Sequence, residues 1–211
     1  MAKVVTFTFN AFQENMYLVY DDTKECIIFD PGCSNPQEEA ELVSYIESNE
    51  LKPVRLINTH CHLDHVFGNK FISEKYNLPL ESHKDEAPVL AWSEKAAAQY
   101  GLSMQPSPPI TKFIEEGDII EFGNTKLKSL FTPGHSPASL SFYCEEDKFI
   151  IAGDVLFHSS IGRTDLPGGN FDTLINSIKT QFFPLGDDVV VYPGHMQSTT
   201  IGFERAHNPF L

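Results

Sequence analysis

The stretch His60-Cys61-His62-Leu63-Asp64-His65 places three imidazoles and one carboxylate within six residues, directly after the apolar run Val54-Arg55-Leu56-Ile57-Asn58. Neutral imidazoles and carboxylates are preferred ligands of first-row metals. Along an extended chain alternate side chains share a side, so His60 and His62 can reach one ion while Cys61 points the other way. Cys61 therefore reads as a small packed residue. Asp64 and His65 come after a change of direction and can serve a second ion. This feature constrains the fold strongly, because the remaining donors must be carried to the end of the same strand.

The sequence contains three further segments of the required kind. His135 lies in Thr132-Pro133-Gly134-His135-Ser136 after Leu127-Lys128-Ser129-Leu130-Phe131. Asp154 lies in Ala152-Gly153-Asp154 after Phe149-Ile150-Ile151, and His195 in Pro193-Gly194-His195 after Val189-Val190-Val191-Tyr192. In each case a strand runs into a glycine-containing turn that aims a donor at a common edge, where sites on rigid sheets are usually built. Any one of these histidines alone would be an ordinary structural residue. The repetition favours one shared site.

Composition sets the outer bounds. With 211 residues, of which 41% are hydrophobic, the chain can build one domain over 1–211 with a substantial core. A formal charge of −14 repels phosphate backbones and anionic bilayers, which argues against nucleic acid and membrane partners. No segment is apolar enough for long enough to span a bilayer, and the N-terminal residues read as a strand without a signal-peptide layout. Cys26, Cys33, Cys61 and Cys144 form no CxxC pair, which suits reduced thiols in a cytoplasmic setting.

The pattern predicts strands over 3–9, 16–20, 26–29 and 54–58, then several short strands between 110 and 157, and a last one over 189–192. Asn35 is expected to cap a helix to about Glu50, with Pro36 at its first position. Further helices are expected from near His65 to Tyr76, over 86–100, 171–183 and 199–206, with 103–109 a proline-rich loop. Mixed strands and interspersed helices indicate a layered α/β or α+β domain.

Asp30-Pro31-Gly32, the His60–His65 stretch, then His135, Asp154 and His195 in that order resemble the metallo-β-lactamase superfamily over nearly the whole chain. Gly153-Asp154-Val155-Leu156-Phe157, Ile161-Gly162-Arg163-Thr164-Asp165 and the ending Asn208-Pro209-Phe210 look like the short, single-domain members of its glyoxalase II-like branch, the hydroxyacylglutathione hydrolases. The resemblance implies a four-layer αββα sandwich. It implies one metal on His60, His62 and His135, a second on Asp64, His65 and His195, Asp154 bridging, and Asp30 supporting from beneath. Two divalent ions, zinc first and iron or manganese as alternatives, would share and acidify a water that attacks a small-molecule acyl thioester, with Asp64 orienting the nucleophile.

The same resemblance admits a mononuclear iron persulfide dioxygenase using His60, His135 and Asp154, or a lactonase on the same metals. The chain ends soon after His195, so the helical domain with which two-domain glyoxalase II enzymes bind glutathione is expected to be missing. Arg163 is the candidate substrate-binding residue: it can pair with a substrate carboxylate, or equally with Asp165. His83, His158 and His207 fall outside the ligand pattern and read as ordinary histidines, although His158 is close enough to the Asp154 strand to line a pocket.

Overall fold

In a computed structural model describing residues 1–211, the chain forms two six-stranded sheets and five α-helices. The first sheet has the order β1 (Lys3–Phe9), β2 (Glu14–Tyr20), β3 (Glu25–Phe29), β4 (Lys52–Ile57), β5 (Leu80–Ser82) and β6 (Ile110–Phe113). Its first three strands are antiparallel, and β3 through β6 run parallel. The second sheet joins β7 (Ile119–Phe122), β8 (Thr125–Phe131), β9 (Leu140–Cys144), β10 (Phe149–Gly153), β13 (Val190–Pro193) and β14 (Thr199–Thr200), with β10 and β13 parallel. A small ribbon pairs β11 (Leu156–Phe157) with β12 (Ser160–Ile161).

Period-two patterning explains the layers. Along β2 and β3, Tyr17, Val19, Ile27 and Phe29 face the second sheet, while Met16, Leu18, Cys26 and Ile28 face helices. Along β10, Phe149 and Ile151 face the first sheet, while Ile150 and Ala152 face the opposite helical layer. Strands buried on both faces must be apolar over the buried run, as Met16–Tyr20 of β2, Cys26–Phe29 of β3 and all of β10 are. Phe29 and Phe142 meet across the inter-sheet core with ring centroids 5.0 Å apart, and burial of each is worth about 1.5–3 kcal/mol.

Helices α1 (Pro36–Ser48), α2 (Asn69–Tyr76) and α3 (Ala87–Gln99) cover the first sheet through residues such as Leu42, Ile46, Ile72 and Leu90. Helices α4 (Phe171–Ser177) and α5 (Ile201–His207) cover the second through Leu174 and Ile201. The result is the expected αββα sandwich. Helix α1 begins where the sequence places it: the Asn35 side chain accepts hydrogen bonds from the Gln37 and Glu38 amides, and Pro36 opens the first turn.

Two helices differ from expectation. The helix expected from His65 starts only at Asn69, preceded by one 3-10 turn at Leu63–His65. Gly68 presses against Cys33 Sγ and the Pro31 carbonyl, to which its amide donates at 2.7 Å, so the chain must pass this point before a helix can begin. The helix expected over 171–183 is regular only to Ser177. It widens to a π-turn over Ile178–Phe182 and tightens over Phe183–Leu185. Pro184 has no N–H and crowds the carbonyl four residues earlier, which forbids a regular continuation.

Candidate metal centre

Strands β4, β8, β10 and β13 all point their C-terminal ends at one edge of the sandwich, and the turn after each carries donors. His60 and His62 follow β4, and His135 follows β8. The donor atoms of these three lie within 4.8 Å of one another. Asp64 and His65, turned back by the 3-10 turn, form a second such group with His195, which follows β13. Asp154, after β10, stands between the groups. Its Oδ1 is 3.5 Å from His65 Nε2, while its Oδ2 is 3.4 Å from His135 Nε2 and 3.5 Å from His195 Nε2. All seven expected donors are therefore brought together.

Three of the five rings are oriented from behind. His135 Nδ1 donates to the Arg163 carbonyl oxygen at 2.7 Å, which leaves Nε2 as a lone pair facing the site. His65 Nδ1 lies 3.2 Å from Asp30 Oδ2, and His60 Nδ1 is 3.1 Å from the Thr59 hydroxyl. Asp30 is itself held by the Thr59 amide at 2.7 Å and the Thr59 hydroxyl at 2.6 Å. Its φ of 48° lies in the left-handed region, which aspartate tolerates better than most residues. Asp30 thus supports the loop from beneath, as the resemblance implied. The third close group, Asp30 with His60 and His65, is this support viewed from the other side.

His60 Nε2, His65 Nε2 and Asp154 Oδ1 are buried without any hydrogen-bond partner. Buried polar atoms are costly to leave unsatisfied, and converging lone pairs on nitrogen and oxygen fit a divalent cation. Burial, reinforced by the other imidazoles, holds His60 well below the usual histidine range, and burial takes His62 down to about 3. His135 is also lowered by burial. The other group behaves oppositely. Burial would lower His65 and His195, but the carboxylates of Asp64 and Asp154 outweigh it and raise both.

Several supporting residues gave no signal in the sequence. Glu86, just before α3, is buried and accepts from the Cys61 amide at 2.9 Å, the Ser136 hydroxyl at 2.6 Å and the Ala138 amide at 2.9 Å. It ties the two loops of the first histidine group together. Glu14 is fully buried 3.6 Å from His65 Nδ1, with both oxygens unpartnered, and burial raises its pKa well above the carboxylate range. Tyr17 and Asn15 hold the His195 turn by donating to the Pro193 carbonyl at 2.6 and 3.2 Å. Close approach requires glycine at 194, where a Cβ would lie 2.1 Å from Asp154 Oδ1.

Cys61 is buried in the core behind the site, and burial raises its thiol pKa well above the usual value. The Arg163 guanidinium makes a two-pronged pair with Asp165 at 2.7 and 2.8 Å. His158 stacks on Phe203 at 4.8 Å, and His83 accepts from the Asp85 amide, so neither joins the centre. The centre opens into a cavity of about 1050 Å³ between α3 and the segment around 157–167.

A two-sheet αββα sandwich with histidine and aspartate donors gathered at one strand edge defines a metallohydrolase class. The chain belongs to the metallo-β-lactamase superfamily, whose family model matches residues 9–195. It is 38% identical to the hydroxyacylglutathione hydrolase GloC of Haemophilus influenzae, over 95% of this chain and 94% of that one. Among solved structures it is similar to the B3 metallo-β-lactamase BLEG-1, with a TM-score of 0.90 and 33% identity over 100% of this chain and 99% of that one. It is also similar to TTHA1623 in a di-iron-bound form, with a TM-score of 0.88 and 35% identity over 99% and 100% of the two chains. No helix is long and apolar enough to cross a membrane.

Proposed function

We propose that this chain is a metal-dependent hydrolase of acyl thioesters, of the glyoxalase II kind, with S-lactoylglutathione as its reference substrate. The observation that carries the reading is Asp154, whose carboxylate faces both histidine groups at once and has one buried oxygen without a partner. The name of the Haemophilus influenzae relative, a hydroxyacylglutathione hydrolase, supports the choice of substrate.

His60, His62 and His135 would hold one divalent ion, Asp64, His65 and His195 another, and Asp154 would bridge them. Five imidazoles and two carboxylates suit zinc, iron or manganese. Zinc is our first candidate and iron the second, in keeping with the di-iron form of the similar TTHA1623. When bound, such ions polarise an acyl carbonyl and lower the pKa of a water.

The protein's own residues set the geometry of the reaction. Asp64 lies at the cavity wall with Oδ2 3.1 Å from His195 Nε2, placed to orient an attacking water and accept its proton. Cys61 is fully buried and burial raises its thiol pKa, which supports water rather than this side chain as the nucleophile. Hydrolysis adds hydroxyl to the acyl carbon, breaks the C–S bond and returns a proton to the departing thiol.

Metal quantification on purified protein, paired with loss of thioester from S-lactoylglutathione, tests the reading. Two ions per chain with turnover is the expected result. One iron per chain, with oxygen consumption on glutathione persulfide, would replace it with the dioxygenase.

A further inference from the structure

The cavity beside the metal centre is apolar for most of its length. Helix α3 contributes Val89, Trp92 and Ala96 to one wall, the segment after β12 contributes Leu166 and Pro167 to the other, and Phe12 closes one end. Trp92, Tyr100 and Met196 border the opening and are each more than half or about half exposed, at 50%, 56% and 57%. Large apolar side chains left in water around one opening mark a binding surface, because no internal packing compensates their exposure. The volume of about 1050 Å³ is at the upper end of small-molecule pockets, far more than a lactoyl group fills.

The charge of the lining weighs against a glutathione arm as the best occupant. A glutathione arm carries two carboxylates and one ammonium, so it calls for cationic or donor side chains. Arg163 is the one lysine or arginine lining this cavity, and its guanidinium is already engaged by both oxygens of Asp165. The Ser93 hydroxyl donates to the Leu90 carbonyl and is also occupied, so the remaining side-chain donors of the wall beyond the metal centre, Gln99, Tyr100 and Ser160, are neutral and none matches two carboxylates with charge.

We propose that this cavity binds an uncharged aromatic or branched-alkyl group attached through the scissile carbonyl or its sulfur, so that the preferred substrates are apolar thioesters and not glutathione conjugates. The proposal rests on the hydrolase reading for its chemistry, and the apolar contacts are its own. Continuity supports it, because Leu63 and Phe157 carry the apolar wall directly to Asp64 and His195.

Two measurements on the metal-loaded protein separate the proposal from the reading beneath it. The first compares kcat/KM for S-lactoylglutathione and for the lactoyl thioester of benzyl mercaptan. A preference of at least tenfold for the benzyl thioester is expected, about 1.4 kcal/mol. The second uses Trp92, the single tryptophan of the chain, as a fluorescent reporter inside the cavity. Non-hydrolysable thioethers of benzyl mercaptan and of glutathione are titrated, and the benzyl compound should bind at least tenfold more tightly.

If neither thioester turns over but the benzyl thioether still binds at Trp92, the hydrolase reading fails and the apolar site stands. If S-lactoylglutathione is turned over with equal or greater kcat/KM, or its thioether binds as tightly, the apolar site is overturned and the hydrolase stands. Two variants add independent checks. Trp92→Ser should bring the ratio of the two kcat/KM values towards one. Asp165→Asn should release Arg163 and shift the ratio towards glutathione; an unchanged ratio in both would overturn the proposal.

Discussion

His135 is oriented by the backbone of Arg163: its Nδ1 donates to the Arg163 carbonyl oxygen at 2.7 Å, while the Arg163 side chain turns outward to Asp165. Any residue at 163 keeps that carbonyl, so Arg163→Ala should retain metal content and stay within about threefold of the wild-type kcat. Gly162→Ala should do more damage, because its Cβ would lie 2.0 Å from the Asp154 carbonyl oxygen. Metal content and kcat of the two variants check this. A tenfold rise in KM for Arg163→Ala would show that the guanidinium leaves Asp165 for the substrate.

Asp154→Ala should remove more activity and metal than Cys61→Ala. Asp154 faces both histidine groups, whereas Cys61 packs in the core behind them. The expected loss for Asp154→Ala exceeds about 100-fold, beyond the 10–100-fold typical of an outer partner. Cys61→Ala removes only a small buried group. Equal losses would contradict the alternation of side chains along the 60–62 segment.

Asp30→Asn should weaken metal affinity by about 10–100-fold. Asp30 is within hydrogen-bonding distance of His65 Nδ1 at 3.2 Å, whereas Glu14 is at 3.6 Å, so Glu14→Gln should cost less. Competition with a fluorescent chelator measures both. A larger effect at Glu14 would reassign the support of His65 to that residue.

Acidification should strip the two groups in order. Metal binding needs neutral imidazoles. His60, His62 and His135 have lowered pKa values, with His62 at about 3, so protons compete with a metal there only at lower pH. His65 and His195 have raised values, so protons compete with a metal there from a higher pH downward. As pH falls from 7, metal should leave the Asp64, His65 and His195 group first. Metal stoichiometry after equilibration across pH checks this; simultaneous loss of both ions would refute it.

The seven candidate donors that the fold gathers at one edge were each legible in the sequence, because each sits in a short turn after an apolar run that reads as a buried strand. The strand positions around β1, β2, β3, β4 and β13 were legible for the same reason. Local chemistry was enough for these features, including the Asn35 cap. Four other features become visible only when the chain is folded, and three of them depend on residues distant in sequence. Glu86 joins the 61 and 136 loops across 25 and 50 residues. Asp165 claims Arg163, a choice the sequence left even between a substrate and a neighbour. The delayed start of α2 follows from Gly68 packing on Pro31 and Cys33. The apolar cavity assembles Phe12, Trp92, Leu166 and Met196 from four segments far apart in sequence. Strand and cap signals are local because backbone hydrogen bonding and side-chain alternation are local. Support and cavity shape are set by long-range packing, and those were decided by the tertiary structure alone.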